Sequence, residues 1–262
     1  MQSHNVDIHT YDGLDLEAIA TVPEGETRGM LVMAHGITVD LHEGGMFDRL
    51  AESVSQHGWA TLRFSFRGHG RSSGTQRGVT IAGEVIDLEC AISEAQRRAN
   101  GASRVVLLAS SFGAVSTGIL LPALLRREVL DGLCLWNPVL DVAGTFVAGR
   151  MPWAADNFTP ETQDRLLADG YMELDGTFQV GYALAQEMGV TDARDALAKS
   201  PLRGLIVHGD RDESVSYGES AALASANEHF RLVTIEGSDH GFSGSDYEAQ
   251  AIKATVDWLA AP

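Results

Sequence analysis

The chain has little cysteine and little positive charge. Its 262 residues include two cysteines, so neither a disulfide framework nor a zinc site is indicated. Lys and Arg number 19 against 36 Asp and Glu, which gives a formal net charge of −17. An acidic surface repels nucleic acids and anionic membranes, and we expect neither as a partner. The excess of carboxylates is explained most simply by solubility.

The N-terminus lacks the pattern of a targeting segment. The first five residues, MQSHN, have neither a basic region nor an apolar core, so no secretory signal is expected. No apolar run in the sequence is long enough to span a bilayer, and we expect no membrane insertion. Cys90 lies in a helical pattern and Cys134 in an apolar run, and both are expected to be buried thiols. A cytoplasmic protein is therefore predicted.

Short apolar runs that are typical of buried strands alternate with helical patterns along most of the chain. Clear examples of such runs are MLVMA at 30–34, VVLL at 105–108, GLCLW at 132–136 and LVTI at 232–235. The alternation predicts an α/β fold, in which a mostly parallel sheet is covered by helices on both faces. The length suits one large domain.

The alternation breaks between residues 137 and 198. Thr159 and Pro160 predict the start of a helix, and Gly170 predicts its end. Segment 178–188 predicts a further helix. We therefore divide the chain into a core, formed by 1–136 and 199–262, and an insertion, formed by 137–198.

The insertion carries large apolar side chains that could form the wall of a substrate pocket. These residues are Phe146, Met151, Trp153, Phe158, Tyr171 and Tyr182. Four of them are candidates for direct contact with a substrate: Phe146, Met151, Trp153 and Phe158. The alternative is that such residues only pack the insertion onto the core.

Ser111 is the candidate nucleophile. It lies in ASSFG at 109–113, between a strand-like apolar run and a helix-like stretch. A strained strand-to-helix turn requires small residues two positions before and two positions after the serine, and Ala109 and Gly113 meet this requirement. Around Ser110 the same positions hold leucine and phenylalanine, which disfavours it. The alternative, a serine that only caps a helix, would not explain the partners found downstream.

A literal Gly-x-Ser-x-Gly match occurs elsewhere, at GRSSG in 70–74, with Ser72 at its centre. It follows the strand-like ATLRF at 60–64 but is followed by polar, glycine-containing sequence rather than by a helix. We therefore interpret this segment as a loop that carries RGHG at 67–70, and not as the site of the nucleophile.

His240 is the candidate general base among nine histidines. A serine hydroxyl needs a neutral imidazole to take its proton during attack. His240 lies in GSDHGF at 237–242, after the last strand-like run and before the closing helical pattern. Of the other histidines, His35, His69 and His208 lie at strand ends and are expected to form structural hydrogen bonds, while the remainder lie near the terminus, on the surface or at helix ends.

Asp212 is the candidate partner of the base. It lies in HGDRDESV at 208–215 and would hold the imidazole in the required tautomer. Three other aspartates compete for this role. Asp210 is two residues away, Asp141 follows the sixth core strand, and Asp239 adjoins His240, where its carboxyl would have difficulty facing the ring.

These motifs together resemble the α/β-hydrolase superfamily over nearly the whole chain. The resemblance rests on HG at 35–36, RGHGRS at 67–72, Ser111, Asp212 and His240. Within the superfamily the chain is most similar to the bacterial feruloyl (cinnamoyl) esterases and the monoacylglycerol lipase-like hydrolases. Two positions depart from the pattern: Ala109 replaces the first glycine of the elbow, and Ser65 stands where relatives often carry aspartate.

The resemblance implies a serine hydrolase whose nucleophile, acid and base follow in the order Ser111, Asp212, His240. It implies an oxyanion hole formed by the backbone N–H groups of Ile37 and Phe112. It also implies a cap, which the insertion 137–198 would supply, after the sixth core strand. Some members place the acid after the sixth strand, where Asp141 lies in this chain.

The expected activity is hydrolysis of carboxylic esters with a medium-chain or aromatic acyl group, through an acyl-enzyme. The partner would be a small-molecule ester or thioester, no cofactor or metal is expected, and a homodimer is compatible with the sequence. Acyl thioesterase is the alternative. The superfamily also includes peptidases and carbon–carbon bond hydrolases, and non-catalytic ligand receptors are built on the same scaffold.

Overall fold

The structure is a computed structural model, and it describes residues 1–99, 104–244 and 246–261. Its strands, in chain order, are β1 (Gln2–His9), β2 (Asp15–Val22), β3 (Gly29–Ala34), β4 (Trp59–Phe64), β5 (Arg104–Ser110), β6 (Gly132–Trp136), β7 (Tyr171–Leu174), β8 (Phe178–Gly181), β9 (Gly204–Gly209) and β10 (Phe230–Ile235). Its α-helices are α1 (Met46–Ser55), α2 (Ile81–Arg98), α3 (Gly113–Arg126), α4 (Val142–Phe146), α5 (Pro152–Asn157), α6 (Pro160–Asp169), α7 (Tyr182–Val190), α8 (Arg194–Ala198), α9 (Tyr217–Ala226) and α10 (Tyr247–Ala260). None of these described helices has the length and apolarity needed to cross a bilayer.

Eight strands form one sheet in the order β1-β2-β4-β3-β5-β6-β9-β10. β2 pairs antiparallel with both β1 and β4, whereas every pairing from β4 across to β10 is parallel. Strands β3 and β4 are buried at every position, as expected for parallel strands covered on both faces. The prediction of a mostly parallel, doubly covered sheet is confirmed.

The core lies in two layers, one on each face of the sheet. Val32 and Leu107 point to the layer that contains α2 and α3, while their neighbours Leu31 and Leu108 point to the layer that contains α1 and α10. All four side chains are fully buried. This alternation holds the carboxyl ends of the parallel strands in place, and the loops of the candidate site leave the sheet at those ends.

The insertion between β6 and β9 folds as predicted in one part and differently in another. The Thr159 hydroxyl caps α6 by accepting the N–H of Thr162 at 3.3 Å, and Gly170 ends the helix with a φ of +79°. The helix predicted over 178–188 is wrong at its start, because Phe178–Gly181 is strand β8 and the helix begins at Tyr182. β7 and β8 form a two-stranded hairpin.

The hairpin has a local cause that the helical interpretation overlooks. Its turn contains Asp175 and Gly176, whose φ values are +51° and +66°. An Asp-Gly pair is among the strongest short-range signals for a hairpin, because both residues tolerate left-handed backbone. The side chains of β7 also alternate between half-buried and buried, as a strand with one covered face requires.

The last helix of the insertion packs on the core. α8 lies against α3 and α9, and Leu197 is fully buried in the same layer as Leu107. A Cβ atom at Gly118 in α3 would lie only 2.6 Å from the Cβ atom of Ala193, so the approach of this segment to α3 depends on glycine. The division into a core and a cap at 137–198 stays a prediction, and α8 belongs by its packing to the core.

Candidate active site

Ser111 lies in the tight turn between β5 and α3. Its φ of +49° falls in the left-handed region, which non-glycine residues seldom adopt outside strained or functional positions. Its N–H donates to the carbonyl of Trp136 at 2.9 Å, and its own carbonyl accepts the N–H of Val139 at 3.0 Å. The segment that follows β6 therefore holds the strained residue from both sides.

The small residues around Ser111 are needed because of neighbouring backbone. A Cβ atom at Gly113 would lie 2.7 Å from the carbonyl oxygen of His35 and 2.8 Å from that of Ala34. Only glycine allows α3 to begin this close to the end of β3. Ala109 is fully buried and pairs in register with Ala34 on the neighbouring strand, so alanine is accommodated where the usual elbow motif has glycine.

The structure brings Ser111, His240 and Asp212 into one chain of hydrogen bonds. Nε2 of His240 lies 3.0 Å from Oγ of Ser111, and Nδ1 lies 2.7 Å from Oδ2 of Asp212. Because the carboxylate only accepts, Nδ1 must carry the proton of the neutral ring. Nε2 is then free to accept the proton of the serine hydroxyl.

The carboxyl of Asp212 is held by four donors. Oδ1 accepts the N–H groups of Ser214 and Val215, each at 2.8 Å, while Oδ2 accepts from Nε2 of His208 at 3.1 Å as well as from His240. Burial alone would raise the pKa of Asp212, but the hydrogen bonds from His208 and His240 hold it well below its usual range. The group is therefore anionic at neutral pH.

The hydrogen bond between Asp212 and His240 lowers the pKa of the carboxyl but raises the pKa of the imidazole. Burial disfavours the charged imidazolium, but the hydrogen bond and the negative charge of Asp212 outweigh burial and raise the pKa of His240 above its usual value. The imidazolium that forms when the ring takes a proton is thereby stabilised.

Two buried residues that support this geometry were not singled out as site residues in the sequence. His208 is fully buried in β9, where Nδ1 contacts Oγ of Ser220 at 2.7 Å, so its expected structural hydrogen bonds include one to Asp212 itself. Asn137, with a φ of +40°, donates to the carbonyl of His240 at 2.6 Å and accepts the N–H of Gly209 at 3.0 Å. An asparagine directly after a buried strand is the local signal, since this residue type tolerates left-handed backbone.

The competing aspartates are engaged elsewhere. Asp210 accepts the N–H of Gly237 at 2.6 Å. Asp141 caps α4 and pairs with Arg150 at 2.7 Å. Asp239 accepts a backbone N–H within its own loop at 2.7 Å. Each carboxyl thus stabilises a turn or a helix end rather than the ring of His240.

The competing serines also have structural partners. Oγ of Ser72 donates to the carbonyl of Ser65 at 2.6 Å and accepts the N–H of Glu17 at 2.9 Å, which ties its loop to β2. Oγ of Ser110 donates to the carboxyl of Glu43 at 3.0 Å. In each case the hydroxyl is held away from His240.

The loop after β3 presents one of the predicted oxyanion donors. Among the described residues, the backbone N–H groups of Ile37 and Phe112 have no acceptor. Nε2 of His35 accepts a backbone N–H, so its Nδ1 carries the proton and donates to the carbonyl of Gly36 at 2.7 Å. Nε2 of His69 lies 2.6 Å from the carbonyl of Ile37. The ring of His35 thus contacts the peptide group that bears the N–H of Ile37, and the ring of His69 contacts the peptide group that follows it.

A cavity of about 540 Å³ opens at Ser111 and His240. Of the four predicted contact residues, Phe146 and Trp153 line it. Phe158 packs against both of these rings and lines a second cavity of about 250 Å³, whose wall also includes Phe146. Met151 lines neither, because it lies in extended backbone just before α5, whose first turn carries Trp153 to the cavity.

The two tyrosines of the insertion also lie away from the catalytic cavity. Tyr182 lines the second cavity and is about half exposed, while the ring of Tyr171 stacks under the guanidinium of Arg77 at 3.6 Å. At the wall of the first cavity, Arg49 pairs with Glu248, with Nη2 and Oε2 2.8 Å apart. Within the described ranges, no group of three or more His, Cys, Asp or Glu is arranged to hold a metal ion.

The parallel sheet, the strained turn after β5 and the loops at the carboxyl ends of the strands define an α/β-hydrolase fold. The sequence matches the family model described as serine aminopeptidase, S33, over residues 25–244. The chain therefore belongs to this family of serine hydrolases. No curated protein matches the sequence.

Solved structures share this fold over nearly the whole chain. Est1E from Butyrivibrio proteoclasticus, solved with ferulic acid bound, is 22% identical and covers 97% of each chain with a TM-score of 0.79. The esterase domain of a Rhodothermus marinus protein is 19% identical, with a TM-score of 0.71 and coverage of 99% of this chain and 98% of that one. Mouse α/β hydrolase domain-containing protein 10 is 18% identical, with a TM-score of 0.69 and 98% coverage of both chains. The predicted superfamily resemblance is confirmed.

Proposed function

We propose that this chain hydrolyses carboxylic esters, with Ser111 as nucleophile, His240 as general base and Asp212 as the partner of that base. The observation that carries the proposal is the hydrogen-bonded chain in which Nδ1 of His240 lies 2.7 Å from Asp212 and Nε2 lies 3.0 Å from Ser111. Nucleophilic catalysis by serine requires this tautomer and this reach. The family match and the esterase structures of the same fold support it.

In the first half of the proposed reaction, Oγ of Ser111 attacks the carbonyl carbon of the ester while its proton passes to Nε2 of His240. The negative oxygen of the tetrahedral intermediate accepts hydrogen bonds from the N–H groups of Ile37 and Phe112. The intermediate then collapses, the bond to the alcohol oxygen breaks, and His240 returns the proton to the leaving alcohol. An acyl group remains on Ser111.

In the second half, water takes the place of the alcohol. His240 accepts a proton from the water molecule as its oxygen attacks the acyl carbon. The second tetrahedral intermediate releases the carboxylic acid, and the proton on His240 returns to Oγ of Ser111. The balance is one ester and one water consumed, and one acid and one alcohol formed.

The proposed acyl group is of medium length or aromatic, because Phe146 and Trp153 give the cavity apolar walls. Each methylene buried there would contribute on the order of 0.8 kcal/mol to binding. Est1E with ferulic acid bound has the same fold, which makes aromatic acids a reasonable part of the first substrate panel. Contact of Met151 and Phe158 with substrate is no part of this proposal, since they lie outside the cavity lining.

The test is a panel in which one acyl group is presented on three leaving groups: a p-nitrophenyl ester, a p-nitroanilide and a coenzyme A thioester. We expect the ester to have the highest kcat/KM. The anilide tests cleavage of an amide bond, which is the bond that the second candidate, an aminopeptidase, would break. The description of the family model favours that candidate. The thioester tests the thioesterase alternative. Preference for the anilide or the thioester would contradict the proposal.

We also propose a cytoplasmic location, which the two free and buried cysteines support, because thiols stay reduced there. Growth of the native organism followed by fractionation and immunodetection tests it. The homodimer stays a prediction that sedimentation of the purified chain would test.

A further inference from the structure

Glu43 is a buried carboxyl in the wall of the catalytic cavity that the proposed reaction does not use. It is 7% exposed and shares the cavity lining with Ser111 and His240. Arg49, a cationic side chain of the same lining, pairs with Glu248 instead. Because a buried carboxyl is unfavourable unless it is hydrogen-bonded, its contacts are informative.

Both oxygens of Glu43 accept hydrogen bonds from the two loops that flank the chemistry. Oε2 accepts the N–H of Gly36 at 2.9 Å, and Oε1 accepts the hydroxyl of Ser110 at 3.0 Å. Gly36 directly precedes Ile37, the proposed oxyanion donor, and Ser110 directly precedes Ser111. One side chain therefore connects the loop after β3 with the turn after β5.

The backbone around Glu43 is strained in a way that delivers this side chain inward. Glu43 has a φ of +47°, and Gly44 and Gly45 follow with +62° and +93°. Left-handed backbone is unfavourable for a glutamate and persists only where the surroundings impose it. Burial raises the pKa of Glu43 to about 7, against the opposing effect of the hydrogen bonds from Gly36 and Ser110.

The hydrogen bond from the N–H of Gly36 to Glu43 constrains the loop after β3 in addition to that loop's other contacts. The rings of His35 and His69 hold the carbonyl groups of Gly36 and Ile37. Glu43 holds the N–H of Gly36, on the preceding peptide. Rotation of that peptide would move the N–H of Ile37 relative to Ser111.

We propose that Glu43 is a positioning residue of the oxyanion site, which fixes the N–H of Ile37 relative to Ser111 by accepting hydrogen bonds from Gly36 and Ser110. This inference rests on the proposed function. Glu43 touches no reacting atom, so it acts through the loop and the turn that it connects. Its effect belongs to the step in which negative charge develops on the substrate oxygen.

The test compares Glu43→Met with Glu43→Gln. Methionine fills similar space without accepting a hydrogen bond, whereas the amide of glutamine can accept from Gly36 and donate to Ser110. We measure the second-order rate of labelling of Ser111 by a fluorophosphonate, together with kcat and KM on a p-nitrophenyl ester. For Glu43→Met both the labelling rate and kcat should fall roughly 10–100-fold, less than for loss of an oxyanion donor itself, with KM nearly unchanged. Glu43→Gln should recover most of both rates.

Two further variants separate positioning from folding. Glu84 is a second buried glutamate, in α2; it accepts the hydroxyl of Ser116 at 2.9 Å and does not line the cavity. Glu84→Met should lower Tm but leave kcat and the labelling rate at their wild-type values. Ser110→Ala removes one partner of Glu43 without changing Glu43 itself, and it should lower both rates severalfold.

Wild-type rates in both Glu43→Met and Ser110→Ala would overturn the inference, as would a Glu43→Gln variant that is as slow as Glu43→Met. Labelling keeps this result distinct from the substrate question. A wild-type protein that is labelled at Ser111 but does not cleave esters would contradict the proposed substrate class and leave the labelling comparison valid. A wild-type protein that is not labelled at Ser111 would overturn both proposals.

Discussion

The loops at the carboxyl ends of the strands and the insertion between β6 and β9 differ in how closely their contacts specify the position of each side chain. In the loops, Ser111 and Asp212 are almost completely buried, and each is fixed by hydrogen bonds of defined length to backbone and side chains. The insertion packs on the core through an apolar cluster that includes Phe146, Leu184 and Met188, and fewer of its side chains are fixed from several sides by hydrogen bonds than Ser111 and Asp212 are; one that does bond to the core is Glu187, which accepts the N–H of Ile81. Directional bonds specify positions closely, whereas apolar packing tolerates exchange of similar volumes.

The two regions also differ in the side chains that they expose to solvent. The insertion exposes large apolar side chains to solvent, namely Val147, Leu167, Tyr182 and Val190. The strand-end loops expose polar groups and bury the carboxyls that support the site, such as Asp212 and Glu43. We infer that substitutions in the loops should change the chemical step, while substitutions in the insertion should change which substrate is chosen.

The largest effect is expected for Ser111→Ala. Without Oγ no acyl-enzyme can form, so turnover should fall by roughly 10⁴–10⁶-fold and labelling by a fluorophosphonate should disappear. The measurement is kcat on a p-nitrophenyl ester with mass spectrometry of the labelled peptide. Ser72→Ala is the matched control and should keep kcat, since that hydroxyl bonds to Ser65 and Glu17. Labelling at Ser72 in the wild type would contradict the assignment.

Asp212→Asn should have the next largest effect. An amide at this position can donate to Nδ1 and so favour the wrong tautomer, and kcat should fall by about 10⁴-fold, as in another triad enzyme. Asp141→Asn is the control, because Asp141 caps α4 and pairs with Arg150. A severe loss of kcat in Asp141→Asn, together with a nearly unchanged kcat in Asp212→Asn, would assign the role of the acid to Asp141 in the segment after β6.

The dependence of kcat/KM on pH should follow the ionisation of His240. The ring acts as a base only when neutral, so activity should rise with pH through its pKa and be lost below it. Because Asp212 raises that pKa, the midpoint should lie above the usual value for histidine, and it should move to lower pH in Asp212→Asn, measured on the residual activity. A midpoint that is the same in both proteins would argue against coupling between the two groups.

The elements of the site that are set by local sequence could be predicted. The turn at Ser111 is signalled by small residues within two positions of it, and Gly113 is required because the end of the neighbouring strand β3 lies against it. The pairing of Asp212 with His240 depends on two adjacent parallel strands, β9 and β10, which the alternation of patterns indicates. These residues can therefore be identified from the sequence alone.

The parts that depend on contacts distant in sequence could not be predicted. Glu43 and Ser110 are 67 positions apart, and Asn137 and His240 are 103 apart. In neither pair does the sequence around one residue indicate a hydrogen bond to the other. In the insertion, the direction of Trp153 toward the cavity depends on how α5 packs, which periodicity does not specify. The β7–β8 hairpin differs from these parts, because the Asp-Gly pair in its turn is a local signal from which it could have been predicted.

Trp153→Ala should change substrate preference more than chemistry. The side chain lines the cavity, so kcat/KM should fall for medium-chain and aromatic esters, by roughly fourfold for each substrate methylene that the smaller side chain leaves in water, while the smallest ester keeps its rate. Phe158→Ala is the matched control, because this ring packs against Phe146 and Trp153 at centroid distances of 5.7 and 6.2 Å but lies outside the cavity lining. A uniform decrease across the acyl series would mean that Trp153 only supports the insertion.

The smallest effect is expected for Thr159→Ala. The variant removes the hydroxyl that accepts the N–H of Thr162 at the start of α6, which should lower the free energy of unfolding by about 1 kcal/mol. The helix lies in the insertion, and within the part of the chain that the structure describes no hydrogen bond joins Thr159 to the strand-end loops that carry Ser111, Asp212 and His240. The value of kcat on the smallest ester should therefore stay at the wild-type value. Urea denaturation measures the free energy of unfolding, and steady-state kinetics measures kcat. A decrease in kcat that exceeds the decrease in folded protein would show that the end of α6 is coupled to the strand-end loops, and the contrast between the two regions would then fail.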